Sequence, residues 1–378
     1  MEFVFWFMVI MVFYTYLGYP AALKFFSLLK PMPPVKKEEF TPAVSIVVPA
    51  YNEENAIDAK IRNLLSLNYP VMKLEIVIVS DCSSDHTDAI VESYASKGIR
   101  LIRMPGRGGK IAGYKAALPA LKGDIVVFSD ATSRLELNSL RKLVGNFADP
   151  SVGCVAGRLV YRDPRRADIA RGELSYWSYE SMIKKGEEKV YSLTSVSGTF
   201  YAFRKGLFPV NMADDLADDL VVVLNTVKNG QRVVMEPEAV CEENAIHDDM
   251  AEINKRWRIT VQNLRGLAAM NEIMNPFKYR WYAWMIISHK LFRALFPVFL
   301  FLILLTNVFL TARSAFLAAF LLTQIIFYLT GALGCLWQEG RPKAVSMVYY
   351  FCVTNLAILM GIIKFLKGER VAVWETAR

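Results

Sequence analysis

The sequence predicts a soluble α/β domain with a mostly parallel sheet, held between membrane-spanning helices. Between about Thr41 and Met270, short apolar runs typical of buried strands alternate with helical segments, which indicates parallel strands joined by right-handed crossovers. Two of these runs lead directly into an acid, Asp81 and Asp130, and in open α/β sheets ligands bind at such strand ends. The apolar excess lies at the two ends of the chain, where it raises the hydrophobic share of the 378 residues to 54%.

The N-terminal stretch, residues 1–30, is predicted to be a transmembrane helix. It carries no charge between Glu2 and Lys24, and about 20 apolar residues are enough to cross a bilayer. Lysines follow this stretch, including Lys36 and Lys37. By the positive-inside rule they predict that the central domain is cytoplasmic, in a multi-pass protein of the plasma or inner membrane.

The distribution of charge argues against nucleic-acid binding, and the cysteines argue against a zinc site and a disulfide framework. The net charge of +8 is assigned to contact with an anionic lipid bilayer and not to nucleic acid, because the basic residues form no helical stripe or nucleic-acid motif. The five cysteines are scattered without metal-site spacing, so neither a zinc site nor a disulfide framework is indicated. A reducing cytoplasm is the simplest setting for the central domain.

Residues 41–270 are predicted to form one domain. The predicted strands are Val44–Pro49, Leu74–Asp81, Ile99–Met104, Ile125–Ser129, one or two strands within Val152–Tyr161, Ser197–Arg204 and Val233–Val240. The predicted helices are Asn55–Leu67, one that ends at Tyr94, one from the Arg107–Lys110 turn to about Leu121, Asp168–Lys185, Leu220–Lys228 and the basic helix Ala251–Met270.

The C-terminal third is predicted to be associated with the membrane. Residues 276–295 combine aromatic and basic side chains, which is typical of an amphipathic helix in the membrane interface. Residues 296–366 contain three apolar segments, and a basic tail, residues 367–378, follows. Three crossings after a cytoplasmic domain would place the tail outside. The third segment, about Val345–Phe365, is therefore either a crossing or a re-entrant or interfacial segment.

Three acids at separate strand or loop ends suggest chemistry on a nucleotide-sugar: Asp81, Asp130 and Asp219. Such a reaction needs one acid to bind the base or ribose, one to hold a hard cation at the diphosphate, and one to accept a proton from the attacking hydroxyl. The alternative is that each acid caps a helix, which is the commonest use of Asp at these places.

Two basic features could bind phosphate. The turn Arg107-Gly108-Gly109-Lys110 opens a helix with two cations, although it is not a P-loop because the GxxxxGK[ST] pattern is absent. Arg258 lies on the basic helix and suits bidentate contact with a diphosphate leaving group. The alternative for that helix is contact with lipid headgroups.

Taken together, these motifs resemble the membrane-bound family 2 glycosyltransferases, the group of cellulose, hyaluronan and poly-N-acetylglucosamine synthases. The resemblance runs from about Phe3 to Arg378. The segments that carry it are Val44–Glu54, Ser80–Asp85, Gly109-Lys110, Ser129–Thr132, Ser197-Gly198-Thr199, Ala217-Asp218-Asp219, Lys255–Ile259 and Trp374-x-Thr376-x-Arg378.

The resemblance implies a GT-A fold, which is Rossmann-like, and an inverting transfer from a UDP-sugar with Mg²⁺ or Mn²⁺. It implies that Asp219 is the general base, with Asp218 and Arg258 beside it, and that Asp130 binds the metal. The implied nucleotide-sugar residues are Pro49, Ala50, Tyr51, Glu53, Asp81, Lys110 and Asp130. The implied acceptor residues are Ser197, Gly198, Thr199 and Trp257.

Two departures from the family pattern matter. Thr132 stands where the second acid of Asp-x-Asp is expected, so metal is held by Asp130 and the diphosphate alone, or with help from a later residue such as His247. Ile259 replaces the Trp of Gln-x-x-Arg-Trp, which puts processive polymerisation in doubt. Trp257 and the helix that carries Tyr176, Trp177 and Tyr179 are alternative stacking platforms.

Three functions are consistent with the sequence. The first is a synthase that extends a polysaccharide and moves it through its own membrane segments. The second is transfer of one sugar to a polyprenyl-phosphate or lipid acceptor without translocation. The third is a non-catalytic subunit of a polysaccharide export complex, which the retained acids and Arg258 oppose.

Overall fold

The computed structural model describes residues 1–29, 31–162, 167–244, 249–337 and 342–373, and of 162, 167–178 and 249 only the backbone. Its central feature is one eight-stranded sheet covered by helices on both faces. The strands are β1 Val44–Ala50, β2 Leu74–Ser80, β3 Ile99–Arg103, β4 Ile125–Ser129, β5 Arg134–Leu135, β6 Val152–Arg162, β7 Phe200–Arg204 and β8 Arg232–Asn244.

The sheet is mixed but mostly parallel. Its order is β3-β2-β1-β4-β7-β6-β8-β5. Four of the seven pairings are parallel, and β7 runs antiparallel to both of its neighbours, β4 and β6. The predicted βαβ alternation is confirmed for β1 to β4, whose carboxyl ends meet at one edge of the sheet, where open sheets bind ligands.

Fourteen α-helices are present in the described residues, and those over the sheet pack apolar side chains against it. The helices are α1 Glu2–Phe13, α2 Tyr19–Leu29, α3 Ile57–Leu65, α4 Thr87–Glu92, α5 Gly109–Ala117, α6 Ser139–Gly145, α7 Ala167–Val190, α8 Asp218–Lys228, α9 Asp249–Ala269, α10 Pro276–Tyr279, α11 Trp281–Ile286, α12 Phe292–Leu310, α13 Ala315–Leu333 and α14 Lys343–Leu366.

The sequence missed or misplaced several elements. Strand β5 and helix α6 were not predicted. Strand β7 begins at Phe200 and not at Ser197, because residues 197–200 form a turn in which the Phe200 N–H donates to the carbonyl of Ser197. This turn lies beside Asp130, whose N–H donates to the carbonyl of Thr199.

Four helical segments are long and apolar enough to cross a membrane: residues 2–29, 281–313, 315–336 and 343–366. Three of them, α1, α12 and α13, pack together around Phe5, Ile303, Leu310 and Leu317, all buried. At one end of this bundle, Glu2 at the start of α1 pairs with Arg313, which follows α12. At the other end, α1 leads through a π-helical turn into α2, beside the sheet domain.

The amphipathic stretch predicted at residues 276–295 does not form a separate helix. Residues 281–286 continue through a π-helical turn, Ile287–Leu291, into α12. Tyr282 and Ile286 belong to the domain core, and Met285 packs with Tyr19 and Leu23 of α2. These side chains are buried by protein contacts, so the stretch joins the domain to the following helix.

Helix α14 packs along α9 of the sheet domain. Gly361 approaches Thr260 and the carbonyl of Trp257 so closely that a side chain at 361 would collide with them. At the other end of this contact, Arg256 donates to the hydroxyl of Tyr350. The carbonyl of Val371 then accepts from Gln262, so the chain after α14 stays at the domain as far as it is described.

Candidate active site

Asp81 is buried at the end of β2 and binds the glycine turn at the start of α5. One carboxylate oxygen accepts from the N–H of Gly108 at 2.7 Å. The other accepts from the N–H of Gly109 and from Arg107, both at 3.2 Å. The structure therefore brings Asp81 and the turn together, as parallel strands that end at one edge require, and Asp81 orders the turn that presents Lys110.

The predicted nucleotide loop follows β1 directly. Pro49 and Ala50 lie in β1, and the Ala50 carbonyl accepts from the N–H of Asp81 at 2.8 Å. The ring of Tyr51 is covered by the Arg107 guanidinium, 3.2 Å from the ring centroid. The N–H of Glu53 donates to the hydroxyl of Thr87 at 2.8 Å. The loop is thus tied to the segment after β2 before any ligand is bound.

Lys110 and Asp130 form an ion pair across the centre of the site. The ammonium nitrogen lies 2.5 Å from a carboxylate oxygen, and both side chains keep some accessible surface. Burial opposes protonation of Lys110, but the carboxylates of Asp130 and Asp218 outweigh it and raise the pKa of Lys110 above its usual value. Lys110 therefore carries a full positive charge at the end of β4.

Asp218 and Asp219 are the first two residues of α8. The hydroxyl of Tyr201 donates to Asp218 at 2.8 Å, while a carboxylate oxygen of Asp219 lies beside Gly198. Burial, and next the charge of Asp219, raise the pKa of Asp218 to about 7. Burial also raises the pKa of Asp219, and Lys290 and Lys110 limit this rise. Two adjacent carboxylates with raised pKa values are suited to proton transfer near neutral pH.

Arg258 reaches this cluster from α9. Burial lowers the pKa of its guanidinium, and the carboxylates of Asp130 and Asp218 act in the opposite direction. Its partners are therefore the acids of the site, which fits the predicted role beside a diphosphate better than contact with lipid headgroups.

The predicted acceptor residues separate into two groups. Gly198 lies against Asp219, and Thr199 is bonded to Asp130 through its backbone. Trp257 instead contacts α14, since the Lys364 ammonium lies 4.6 Å from the centroid of its ring. Trp257 is thus occupied by a protein contact in this structure. His247, the side chains of Tyr176 and Trp177, and Trp374, Thr376 and Arg378 lie outside the described residues.

Several residues of the site were missed by sequence reasoning. Lys60 is buried under Asp130 and donates to the hydroxyls of Ser129 and Ser133, at 2.7 and 2.9 Å. Burial lowers the pKa of Lys60 to about 8. Glu243 follows the predicted end of the last strand, but β8 continues to Asn244 and brings this carboxylate to Thr132. A longer strand was the only sequence feature that could have located Glu243.

The chemistry of the site fits a hard divalent cation. Among the described residues there is no group of three or more His, Cys, Asp or Glu side chains that could hold a metal. The carboxylate of Asp130 already binds a cation, the Lys110 ammonium, and its oxygens are the ligand type that Mg²⁺ and Mn²⁺ prefer. Diphosphate oxygens of a bound donor would supply further ligands of the same type.

Known proteins are similar to this chain in sequence and in fold. Residues 45–209 match the family model "Glycosyl transferase family 2". The probable glycosyltransferase YdaM of Bacillus subtilis (strain 168) is 27% identical over 209 residues, 53% of this chain and 50% of that protein. Poly-beta-1,6-N-acetyl-D-glucosamine synthase of Staphylococcus aureus (strain MSSA476) is 25% identical over 206 residues, 52% of this chain and 49% of that protein. These alignments span about half the length of both relatives.

A solved structure covers nearly the whole chain. The mannosyltransferase PcManGT from Pyrobaculum calidifontis, solved with GDP-Man and Mn²⁺, has a TM-score of 0.75 at 22% identity. The match covers 98% of this chain and 99% of that one. It supports the GT-A fold predicted from the sequence. Residues 45–209 therefore match the family 2 glycosyltransferases, and the domain that contains them has the GT-A fold and is linked to helices that are apolar enough to cross a membrane.

Proposed function

We propose that this chain transfers a hexosyl group from a nucleoside diphosphate sugar to an acceptor hydroxyl with inversion at the anomeric carbon. The observation that carries the proposal is the adjacent pair Asp218 and Asp219, with raised pKa values, beside the Lys110–Asp130 ion pair. One carboxylate at the acceptor loop and two cations at the donor end are what a single displacement requires.

Asp219 is the proposed general base because it lies against Gly198, on the predicted acceptor side. Its carboxylate takes the proton of the acceptor hydroxyl as that oxygen bonds to the anomeric carbon. The bond from this carbon to the diphosphate breaks, and its electron pair leaves with the diphosphate. Lys110 and Arg258 stabilise the leaving group by charge. A Mg²⁺ or Mn²⁺ ion held by Asp130 would add positive charge at the diphosphate.

The donor is proposed as a class. Resemblance to the synthases implies a UDP-sugar, whereas the neighbour PcManGT was solved with GDP-Man. Asp81 satisfies both of its oxygens with the glycine turn, so base recognition requires this turn to shift or another group to bind the base. A donor panel must therefore contain both UDP-sugars and GDP-sugars.

The packing of the membrane helices favours a lipid-linked acceptor without translocation. The interior between α1, α12 and α13 is filled by buried apolar side chains, together with an Asn307–Gln324 hydrogen bond of 3.2 Å. A polysaccharide that passed through this bundle would have to displace them. The relative named poly-beta-1,6-N-acetyl-D-glucosamine synthase supports the other candidate, extension of a polysaccharide.

Product size separates the two candidates. Membranes that contain the chain would be incubated with UDP-sugars and GDP-sugars, and the labelled product would be extracted and sized. We expect one or a few sugars on a lipid-soluble acceptor. A long polymer would instead support the synthase. Nucleotide binding without transfer or hydrolysis of any donor would support the non-catalytic subunit.

The variant Asp219→Asn tests the mechanism. Base catalysis typically contributes ~10²–10⁴-fold, so we expect a loss of transfer in that range while nucleotide binding is retained. Asp214→Asn is the matched control, because Asp214 is half-exposed and pairs with Lys115 away from the cluster. Wild-type turnover by Asp219→Asn would rule out this residue as the base.

A further inference from the structure

The acid that is missing at Thr132 has a neighbour on β8. The hydroxyl of Thr132 donates to a carboxylate oxygen of Glu243 at 3.5 Å. This approach is set by the backbone, because β5 pairs with β8 and places Arg134 opposite Glu242. The loop from Asp130 to the start of β5 therefore runs beside the carboxyl end of β8.

We propose that Glu243 is the second carboxylate ligand of the divalent cation and takes the place of the acid that Thr132 lacks. The inference rests on the proposed use of a nucleoside diphosphate sugar with a cation. Both carboxylates offer the hard oxygen atoms that Mg²⁺ and Mn²⁺ prefer. One ligand directly after β4 and one on β8, together with diphosphate oxygens, are enough for ions that usually keep several waters.

The charges around the loop support a cation at this position. Lys110 occupies the Asp130 carboxylate in this structure, so a cation is already bound where the metal ligand is predicted. If Lys110 moved from Asp130 to a bound diphosphate, the Asp130 carboxylate would be left for another cation. The carboxylates of Asp130 and Glu243 and the diphosphate repel one another, and a divalent cation among them would offset that repulsion.

If Glu243 only accepted the hydrogen bond from Thr132, its substitution would not be expected to change metal binding. In that case its carboxylate could be replaced by an amide without loss of metal binding, since an amide oxygen also accepts a hydrogen bond. Metal affinity therefore distinguishes a ligand from a partner of the loop. Glu242 supplies the matched control, because successive side chains of a strand point to opposite faces.

The test measures Mn²⁺ binding by the full chain in detergent, by the electron paramagnetic resonance signal of free Mn²⁺, with UDP and in a second series with GDP. We expect Glu243→Gln to weaken binding by at least about tenfold, since loss even of an outer-shell partner typically costs 10–100-fold. Glu242→Gln should bind as the wild type does. The double variant Thr132→Asp/Glu243→Gln rebuilds the Asp-x-Asp pair and should recover binding.

Three results would overturn the proposal: wild-type affinity in Glu243→Gln, an equal loss in Glu242→Gln, or no Mn²⁺ binding by the wild type with either nucleotide. Circular dichroism of each variant confirms that it is folded, and recovery in the double variant shows that the loss is not a folding defect. No acceptor or transfer enters the measurement. Failure of the proposed transfer is read from the product assay and leaves the binding result unaffected.

Discussion

Adjacent carboxylates at the start of α8 divide the site into two sides. Asp218 accepts from Tyr201 and interacts with Lys110 and Asp130, whereas Asp219 lies at Gly198. Consecutive residues in the first turn of a helix diverge by about 100° around its axis, so the two side chains leave the helix in different directions. This divergence supports the proposal that Asp218 serves the donor side and Asp219 the acceptor side.

The raised pKa of Asp218 predicts a pH-dependent stability. Its folded pKa of about 7 lies above the unfolded value of about 3.9, so the folded state binds the extra proton between these limits. The stabilisation is complete below pH about 4 and is lost as the pH rises through about 7. We expect the unfolding midpoint of Asp218→Asn in detergent to fall less than that of the wild type between pH 5 and 8.

The variant Tyr201→Phe tests the same ionisation, because it keeps Asp218 and removes the hydrogen bond to its carboxylate. The hydrogen bond from Tyr201 lowers the pKa of Asp218, so its removal should raise this pKa and move the loss of stability to higher pH. Identical pH slopes in the wild type and Asp218→Asn would show that Asp218 ionises in the folded protein as it does in the unfolded chain.

Residues that follow a strand were predictable, and residues that depend on packing were not. Asp81 and Asp130 were found because apolar runs end at them, and Lys110 because a glycine turn with two cations opens a helix; the structure brings them together. Lys60 and Glu243 were missed. A lysine within an amphipathic helix gives no sign that it is buried, and the extra length of β8 is decided by its pairing with β5 and β6.

At the scale of elements, hydropathy alone could not tell a crossing helix from a covering one. Helix α14 is apolar enough to span, yet it packs along α9, which carries Arg256 and Arg258. Gly361 permits this close contact with Thr260 and Trp257. A charged partner along its length is incompatible with the hydrocarbon core, so we infer that α14 lies at the membrane surface.

The variant Gly361→Val tests this contact. A valine Cβ would lie 2.7 Å from the Thr260 Cβ and 2.8 Å from the Trp257 carbonyl oxygen, and overpacking of this kind typically costs about 1–3 kcal/mol. We expect a lower unfolding midpoint in detergent and faster proteolysis after Lys364 and Lys367. Gly206→Val is the control, because open space surrounds Gly206. Equal midpoints for both variants would contradict the packing.

At the scale of the whole molecule, the sequence predicted the layers better than the order of the strands. Alternating apolar runs and helices specify a covered parallel sheet, which β1 to β4 form. The antiparallel insertion of β7 between β4 and β6 could not be predicted, because the pattern of side chains in one strand does not show whether it pairs in the parallel or the antiparallel direction. The site depends on it, since β7 carries Tyr201 to Asp218.

The path of the tail follows from the packing of α14. The carbonyl of Ala372 lies where a side chain on Gly109 would be, and Gly109 has φ +85°. Residues 371–373 therefore lie over the turn that presents Lys110. If α12 and α13 are one crossing and its return, residues 371–373 lie on the same side of the membrane as the sheet domain. This arrangement would remove the conflict that three crossings after the domain would create.

The two ends of the chain are expected to lie on opposite sides of the membrane. If α1, α12 and α13 cross and α14 does not, a tag after Arg378 is accessible from the same side as the catalytic domain, and a tag before Met1 from the opposite side. Protease protection in sealed inside-out and right-side-out vesicles measures this, with Lys97 in the domain as the internal reference for cleavage. A C-terminal tag protected where the domain is cleaved would show that α14 crosses, and would separate residues 371–373 from Gly109.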